Sequence, residues 1–279
     1  MGPFETLLVQ RQGQVLHVTL NQPHKRNAMS LAMVAELRRA LELAEQVSPA
    51  EPHPEPVRVI VLRGAGGTFC AGGDLKDMAA ARAAPVTTGD DPLVAVSAAF
   101  GELCVAYART KLATVAVVEG AALGGGFGLA CAVDVVLADE TATFRLPEAS
   151  RGLVPAQIAP FLLERLGYAQ AKRLALTGAA VGAREARELG LVHHLAPHAD
   201  ALDAALRDVL GELLRAPPGA IAATKALLAE AQRTPASAMV TRAAQVFADA
   251  ARGPEAAEGL AAFVQKRRPA WAPAESEEP

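Results

Sequence analysis

Cysteine, aromatic residues and net charge are all scarce in this 279-residue chain, and each scarcity closes a class of function. Three cysteines (Cys70, Cys104, Cys131) stand without CxxC or zinc-type spacing, which argues against a disulfide scaffold or a structural metal site and suits a reduced, cytoplasmic setting. One tryptophan and two tyrosines offer little for stacking on bases. With 27 basic against 30 acidic residues, a formal charge of -3, there is no electrostatic footprint for nucleic acid. No apolar run approaches the roughly 20 residues of a membrane helix, and the first residues carry neither a basic n-region nor an h-region. Neither nucleic acid nor a membrane is an expected partner. GxGxxG between strand and helix, GK[ST] and GxSxG are missing too, so dinucleotide, phosphate-loop and nucleophile-elbow readings fail on spacing.

What is present is aliphatic: 51% of the residues are apolar, enough to bury a substantial core. Residues 5–10 and 14–20 are β-branched-rich runs around "RQGQ", which predicts a hairpin. The polar loop Asn21 to Asn27 leads to Ser30, a helix N-cap before apolar residues at helical spacing. "SPAEPHPEP", Ser48 to Pro56, reads as a proline-rich surface connection. The runs 57–64, 112–120 and 134–139 are continuous apolar strands separated by helical segments, hence an α/β architecture with parallel strands. Everything from Ala199 is Ala-rich and helical in pattern. The expected division is therefore an α/β core, residues 1–198, and a helical C-terminal region, residues 199–279. Residues 77–101, without strong periodicity, read as a mobile helix-loop flap.

Two segments share one plan, a buried strand, then glycines, then a helix: "VIVLRGAGGTFCAGGDLKDM" and "VAVVEGAALGGGFGLAC". Such units leave unhindered N–H groups at a positive helix end. Facing each other, two of them could supply one N–H apiece to an acyl oxygen that is gaining negative charge. Taken singly, either cluster is as well explained by a tight turn and close helix packing.

In order along the chain, "FCAGGDLK", "GAALGGGFGLACAVDVVLA", "FRLPEASRGLVP" and "ALTGAAVGAREARELGLVHHL" resemble the crotonase superfamily, the enoyl-CoA hydratase/isomerase family. The likeness runs through residues 4–200, and "FVQKRRPAW" is similar to that family's C-terminal helix end. It implies a spiral of ββα repeats, a C-terminal helical region that makes trimers or dimers of trimers, and an acyl-CoA thioester substrate, the coenzyme being part of the substrate and no other cofactor being needed. By that match the oxyanion-hole N–H groups belong to Gly73 and Gly125. Lys25, Arg26, Ala28 and Ala71 would hold CoA, and Lys266 would reach it from a neighbouring subunit. Gly72, Asp74, Leu75, Gly124, Gly128 and Gln157 complete the implied substrate- and CoA-binding set.

The resemblance also implies a catalytic carboxylate at Glu148, in "PE", and here the residues speak for themselves as well. Glu148 follows a short apolar run among few other charges, so partial burial would raise its pKa and suit it to proton transfer. The family's hydratases carry a second glutamate two positions after GGG, where this chain has Gly128. Three consequences stay open: Glu148 does both proton steps of a hydration, Gln157 orients water, or the reaction is a 3-enoyl to 2-enoyl isomerisation that needs one base. Gly128 is expected to open space beside Phe127, and "GFGLA" with "PAQIAPF" resembles hydratases of branched glutaconyl-CoA esters. Arg145 or Arg151 would then meet a carboxylated acyl chain. A crotonase-fold protein that binds acyl-CoA without turnover is the remaining alternative. Asp74 and Asp134 read as caps, His193 and His194 as residues on opposite strand faces rather than metal ligands, and Cys70 and Cys131 as packing.

Overall fold

The computed structural model describes residues 3–46 and 55–272; most of the proline-rich connection, residues 48–54, lies outside them. The hairpin forms as β1 (Leu7–Gln12) and β2 (Val15–Leu20), antiparallel, with Leu7 opposite Leu20. Gly13 turns it at φ +53°, a conformation that glycine adopts without steric penalty. β1 begins two residues later than the sequence pattern suggests. The N–H groups of Glu5 and Thr6 are taken by the Glu36 carboxylate at 2.8 and 2.9 Å, which pins the chain start to the first helix instead. That helix, α1 (Leu31–Glu45), is capped as expected, with the Ser30 hydroxyl accepting from the Met33 N–H.

β3 (Val59–Gly64), β4 (Ala113–Val118), β6 (Val135–Asp139) and β9 (His194–Ala196) extend the hairpin with parallel pairings, in the order β1-β2-β3-β4-β6-β9. A second sheet of three short strands, β5 (Ala121–Leu123), β7 (Thr143–Arg145) and β8 (Val181–Gly182), lies beside it. The sequence pattern did not reveal this sheet, because its strands are too short for a period to show.

Both faces of the large sheet are covered, which is why its strands read as unbroken apolar runs. Ile60, Leu62, Ala116 and Val118 face a core with Phe127, Phe144, Leu103 and Tyr107. The alternating partners Val59, Val61, Val115 and Val117 face Leu202, Leu206, Val209, Leu210 and Leu214 of α7 (Ala199–Arg215). Thus the first helix of the C-terminal region is part of the sheet's own packing.

Residues 77–101 hold the expected helix and loop and then the start of a second helix, and few of their side chains are buried. α2 (Leu75–Ala83) is followed by a loop and then by α3 (Pro92–Arg109), whose Leu103, Cys104 and Tyr107 are fully buried. Among the described residues α3, at 18 residues and with Glu102 and Arg109 in it, has the length and apolar composition of a membrane span. It packs on α1, and the Tyr107 hydroxyl donates to the Leu37 carbonyl at 3.2 Å.

α4 (Gly125–Ala132) runs through the core, α5 (Ala159–Thr177) packs against it and has a non-helical kink at Gly167, and α6 (Ala183–Glu188) leads to β9. The last helices, α8 (Pro218–Ala231), α9 (Ala236–Arg252) and α10 (Pro254–Val264), differ from the rest. Met239 is the buried residue of α9, Ala262 that of α10, and α8 has none. Phe247, Phe263 and Val264 are at least 75% exposed. α8 is tied back by Lys225 Nζ to the Asp134 carboxylate at 2.6 Å, and the segment after α10 by the buried Arg58, which donates to the Trp271 carbonyl at 2.8 Å.

Candidate active site

The first glycine turn is held from below by a residue the sequence reading passed over. Asn27 is buried in the left-handed region at φ +54°, and its amide donates to the Ala65 and Thr68 carbonyls at 2.9 and 2.7 Å. Its oxygen accepts from the Gln22 N–H at 2.9 Å. Segment 25–29 then runs alongside segment 71–74: Ala71 N–H bonds to Arg26 O at 3.0 Å, Met29 N–H to Gly72 O at 2.7 Å, and Asp74 N–H to Met29 O at 3.0 Å. This is a parallel bridge between Met29 and Gly73. It uses the groups flanking Gly73, so the Gly73 N–H points to the opposite side. Gly72 needs its own freedom, at φ +97° with the place of a Cβ only 3.1 Å from Leu123 O.

The second turn is built on β5. Gly124 (φ +48°) precedes Gly125 at the start of α4 and supplies no side-chain cap, which leaves the first-turn N–H groups of α4 at a positive helix end. The two turns are bonded to each other, Cys70 N–H to Ala121 O at 2.9 Å and Leu123 N–H to Cys70 O at 2.8 Å. As a result the Gly73 nitrogen lies 3.9 Å from the place a Cβ of Gly125 would take. Two glycines 52 residues apart in the chain are thereby brought side by side.

Glu148 joins them from the end of β7, where Pro147 is buried and a short 3-10 turn, Ala149–Arg151, begins. Its Oε1 stands 2.7 Å from where Gly124 would carry a Cβ, so the glycine admits the carboxylate as well as turning the chain. Oε2 is buried without a hydrogen-bond partner. Burial pushes the carboxyl above the ordinary glutamate range, only partly offset by its own backbone N–H and by Arg151.

The expectation of open space at Gly128 is overturned. A Cβ there would lie 2.8 Å from Ile158 Cγ1 and 3.3 Å from Phe100 Cζ, so hydrocarbon already fills the place. Gln157 is turned to α3, donating from Nε2 to Ser97 Oγ at 3.2 Å with its oxygen over Gly101, and is thereby engaged rather than free to orient water at Gly128. Arg145 donates from Nε to the Gly178 carbonyl at 2.7 Å and serves the α5 terminus; Arg151 stays exposed beside Glu148.

The other residues singled out fall as follows. Lys25 Nζ lies 3.8 Å from the Asp74 carboxylate, and Asp74 caps α2 by accepting from the Lys76 N–H at 2.8 Å, so Lys25, Arg26, Ala28, Ala71, Gly72, Asp74 and Leu75 share one rim. Lys266 closes α10 in the left-handed region at φ +52°, within the C-terminal helices. Asp134 accepts from the Thr114 N–H and hydroxyl at 2.8 and 2.9 Å. His193 Nδ1 accepts from the Val136 N–H at 2.9 Å, and burial with the neighbouring Arg165 guanidinium pushes its pKa down to about 4. The thiols of Cys70 and Cys131 are pushed up by burial, to about 11 and about 12, and are inert packing groups. Among the described residues no group of three or more His, Cys, Asp or Glu could hold a metal ion.

Three side chains that hold α4 in place went unnoticed in the sequence. Phe100 sat in the segment read as a flap, Ile158 in a run read for its departure from a family pattern, and Arg165 in an ordinary helix. Arg165 donates to the Cys131 carbonyl at 3.1 Å, to the Val133 carbonyl, and contacts His193 Nε2 at 3.2 Å, which satisfies the C-terminal end of α4. A lone cation in a periodic helix carries no signal for that role.

Bare glycine backbone at a helix start with a desolvated carboxylate beside it is an arrangement able to stabilise a developing oxyanion while moving a proton. Comparison with known proteins agrees: residues 10–274 match the enoyl-CoA hydratase/isomerase family, and the chain belongs to that family. It is similar to the 2,3-dehydroadipyl-CoA hydratase of Escherichia coli, 34% identical over 264 residues that make up 94% of this chain and 97% of the relative. It is also similar to the mevalonyl-coenzyme A hydratase sidH of Aspergillus fumigatus, 33% identical over 93% of this chain and 92% of the relative. Among solved structures, an enoyl-CoA hydratase/isomerase from Marinobacter aquaeolei superposes with a TM-score of 0.90 at 46% identity, covering 96% of this chain and 99% of that one. AtuE of Pseudomonas aeruginosa superposes with 0.89 at 50% identity, covering 96% and 100%. The fold is thus mixed α/β of the crotonase type, and the protein is an enzyme of the enoyl-CoA hydratase/isomerase kind.

Proposed function

We propose that this enzyme adds water syn across the double bond of a 2-enoyl-CoA thioester, with Glu148 as its single proton carrier. The observation that carries the reading is the Glu148 carboxylate, desolvated and with Oε2 unpartnered, beside the Gly73–Gly125 pair. The thioester oxygen accepts from both glycine N–H groups, so electron density drawn from the double bond collects where two donors wait. Glu148 takes a proton from water as the water oxygen bonds to Cβ, and returns that proton to Cα, leaving the carboxylate as it began.

The rim from Lys25 to Ala28 and from Ala71 to Leu75 suits the nucleotide and pantetheine parts of the coenzyme, with Gly124 at the thioester. No cofactor beyond the coenzyme of the substrate enters the reaction. The exposed apolar faces of α8, α9 and α10 support a spiral core that assembles as a homotrimer or dimer of trimers, with Lys266 supplied across the interface. A branched or glutaconyl-type acyl chain is the substrate class we favour.

One observation favours a second reading. With Gly128 sealed by Ile158 and Phe100, one carboxylate serves the acyl chain, and one is enough to carry a proton from C2 to C4 in a 3-enoyl to 2-enoyl isomerisation. Purified enzyme incubated with crotonyl-CoA, a branched glutaconyl-CoA and 3-hexenoyl-CoA separates the two. Loss of enone absorbance with either of the first two supports hydration; its appearance with the third alone supports isomerisation. Turnover of none of them would favour a protein that binds acyl-CoA without chemistry.

A further inference from the structure

Cys70 touches both glycine turns, with its backbone and with its sulfur. Its N–H donates to Ala121 O and its carbonyl accepts from the Leu123 N–H, a parallel bridge with Ala122 that joins it to β5. Its Sγ accepts from the Gly72 N–H at 3.4 Å and lies 3.9 Å from the Gly72 carbonyl oxygen. On the α4 side a Cβ of Gly126 would stand 2.6 Å from Cys70 Cβ and 3.1 Å from Sγ, so the third glycine of the run is what lets α4 close on this fully buried residue.

The contacts of the sulfur bear on the direction of one N–H. Gly72 sits at φ +97°, and without a side chain it is held by what its two peptide groups bond to. The peptide between Gly72 and Gly73 is planar and trans, so its N–H points away from its carbonyl. That carbonyl accepts from the Met29 N–H at 2.7 Å and meets the thiol, while the preceding peptide gives its N–H to the same sulfur. The sulfur thus grips Gly72 on both sides, and with Met29 it fixes the plane whose far edge is the Gly73 N–H. Because the Cys70 backbone also holds β5, which leads into Gly124 and Gly125, that plane is fixed relative to the second turn as well.

We infer that Cys70 is a positioning residue: its sulfur, seated against Gly126, orients the Gly72–Gly73 peptide so that the Gly73 N–H faces the place where a thioester oxygen gains charge. This rests on the donor role proposed for Gly73. The thiol forms no bond to substrate and transfers no proton. What it supplies is geometry, since a donor already aimed at a developing charge costs no reorganisation during the reaction.

Three variants separate this role from ordinary packing. Cys70→Ala removes the sulfur acceptor, Cys70→Ser keeps an acceptor, and Cys131→Ala takes another buried thiol from α4 as a control. In crotonyl-CoA hydration Cys70→Ala should lower kcat about tenfold with KM nearly unchanged, the split left by an interaction made in the transition state, whereas Cys70→Ser and Cys131→Ala should stay within about threefold of wild type. Acetoacetyl-CoA gives a readout without turnover, because its enolate absorbs in the near ultraviolet and is favoured by donors at the thioester oxygen. That band should weaken in Cys70→Ala and persist in the other two. Wild-type kcat and an undiminished band in Cys70→Ala, or an equal loss in Cys131→Ala, would overturn the inference. If wild type shows the band without hydrating crotonyl-CoA, the hydratase reading fails and the band alone decides the role of Cys70. Wild type with neither would sink the donor role of Gly73 and this inference with it.

Discussion

Two positions one turn apart on one short helix, α4, behave as opposites. At its start, Gly124 and Gly125 leave N–H groups unpartnered within the helix and admit the Glu148 carboxylate; one turn later, Gly128 is sealed by Ile158 and Phe100. Both positions are glycine, yet one glycine lets a carboxylate in and the other lets hydrocarbon close over it. A missing side chain says that something approaches the backbone, and says nothing about what approaches.

The largest effect should come from removing the carboxylate at the open position. Glu148→Gln is expected to lower kcat by about 10²–10⁴-fold while changing CoA affinity little, as a lost general acid/base does. Because folding raises the Glu148 pKa, ionisation of this group opposes the folded state once pH rises above the unfolded value. The same variant should therefore unfold at a slightly higher temperature than wild type at pH 8, and no activity loss would remove Glu148 from the mechanism. Next in size, Gly125→Pro deletes the N–H we propose as an oxyanion donor at a helix position that tolerates proline, and should reduce kcat by about 10²–10³-fold with the far-ultraviolet spectrum retained.

At the sealed position, Gly128→Glu tests the opposite property. Forcing a side chain against Ile158 and Phe100 should destabilise the fold by about 3 kcal/mol, on the scale of overpacking plus a buried charge, measured by urea unfolding. A variant as stable as wild type would mean that Ile158 and Phe100 yield easily, and the contrast between the two positions would dissolve.

Smaller effects follow from the titrating groups. The acid limb of the kcat/KM profile should fall above the ordinary glutamate range, since burial favours the neutral form of Glu148, and Arg151→Gln should move it higher by removing an attractive charge. His193 sets a separate pH dependence at the far end of α4. Its folded pKa is depressed to about 4 from an unfolded value of 6.5, so its contribution is present above 6.5 and is lost as pH falls from there to about 4. The Tm should decline over that window, and His193→Asn should flatten the decline.

Much of this molecule was legible from its residues because local chemistry was enough. Ser30 caps α1, alternation and Gly13 set the hairpin, and long apolar runs marked the sheet strands covered on both faces. The two glycine turns and Glu148 were equally visible, since each is a short motif whose chemistry is written in adjacent positions. The fate of Gly128, Gln157 and Arg145 was not. Each depends on a partner distant in sequence: Ile158 and Phe100, Ser97 and Gly101, and the Gly178 carbonyl.

By itself, then, the sequence determined the hairpin, α1 and the long strands of the large sheet, the bare backbone at Gly73 and Gly125, and the single acid at Glu148, all of them properties of neighbouring residues. Only the tertiary structure decided that the two turns meet, that Glu148 is desolvated, and that the place beside Gly128 is full. Close packing joins groups by distance in space, and chain separation carries no record of that distance.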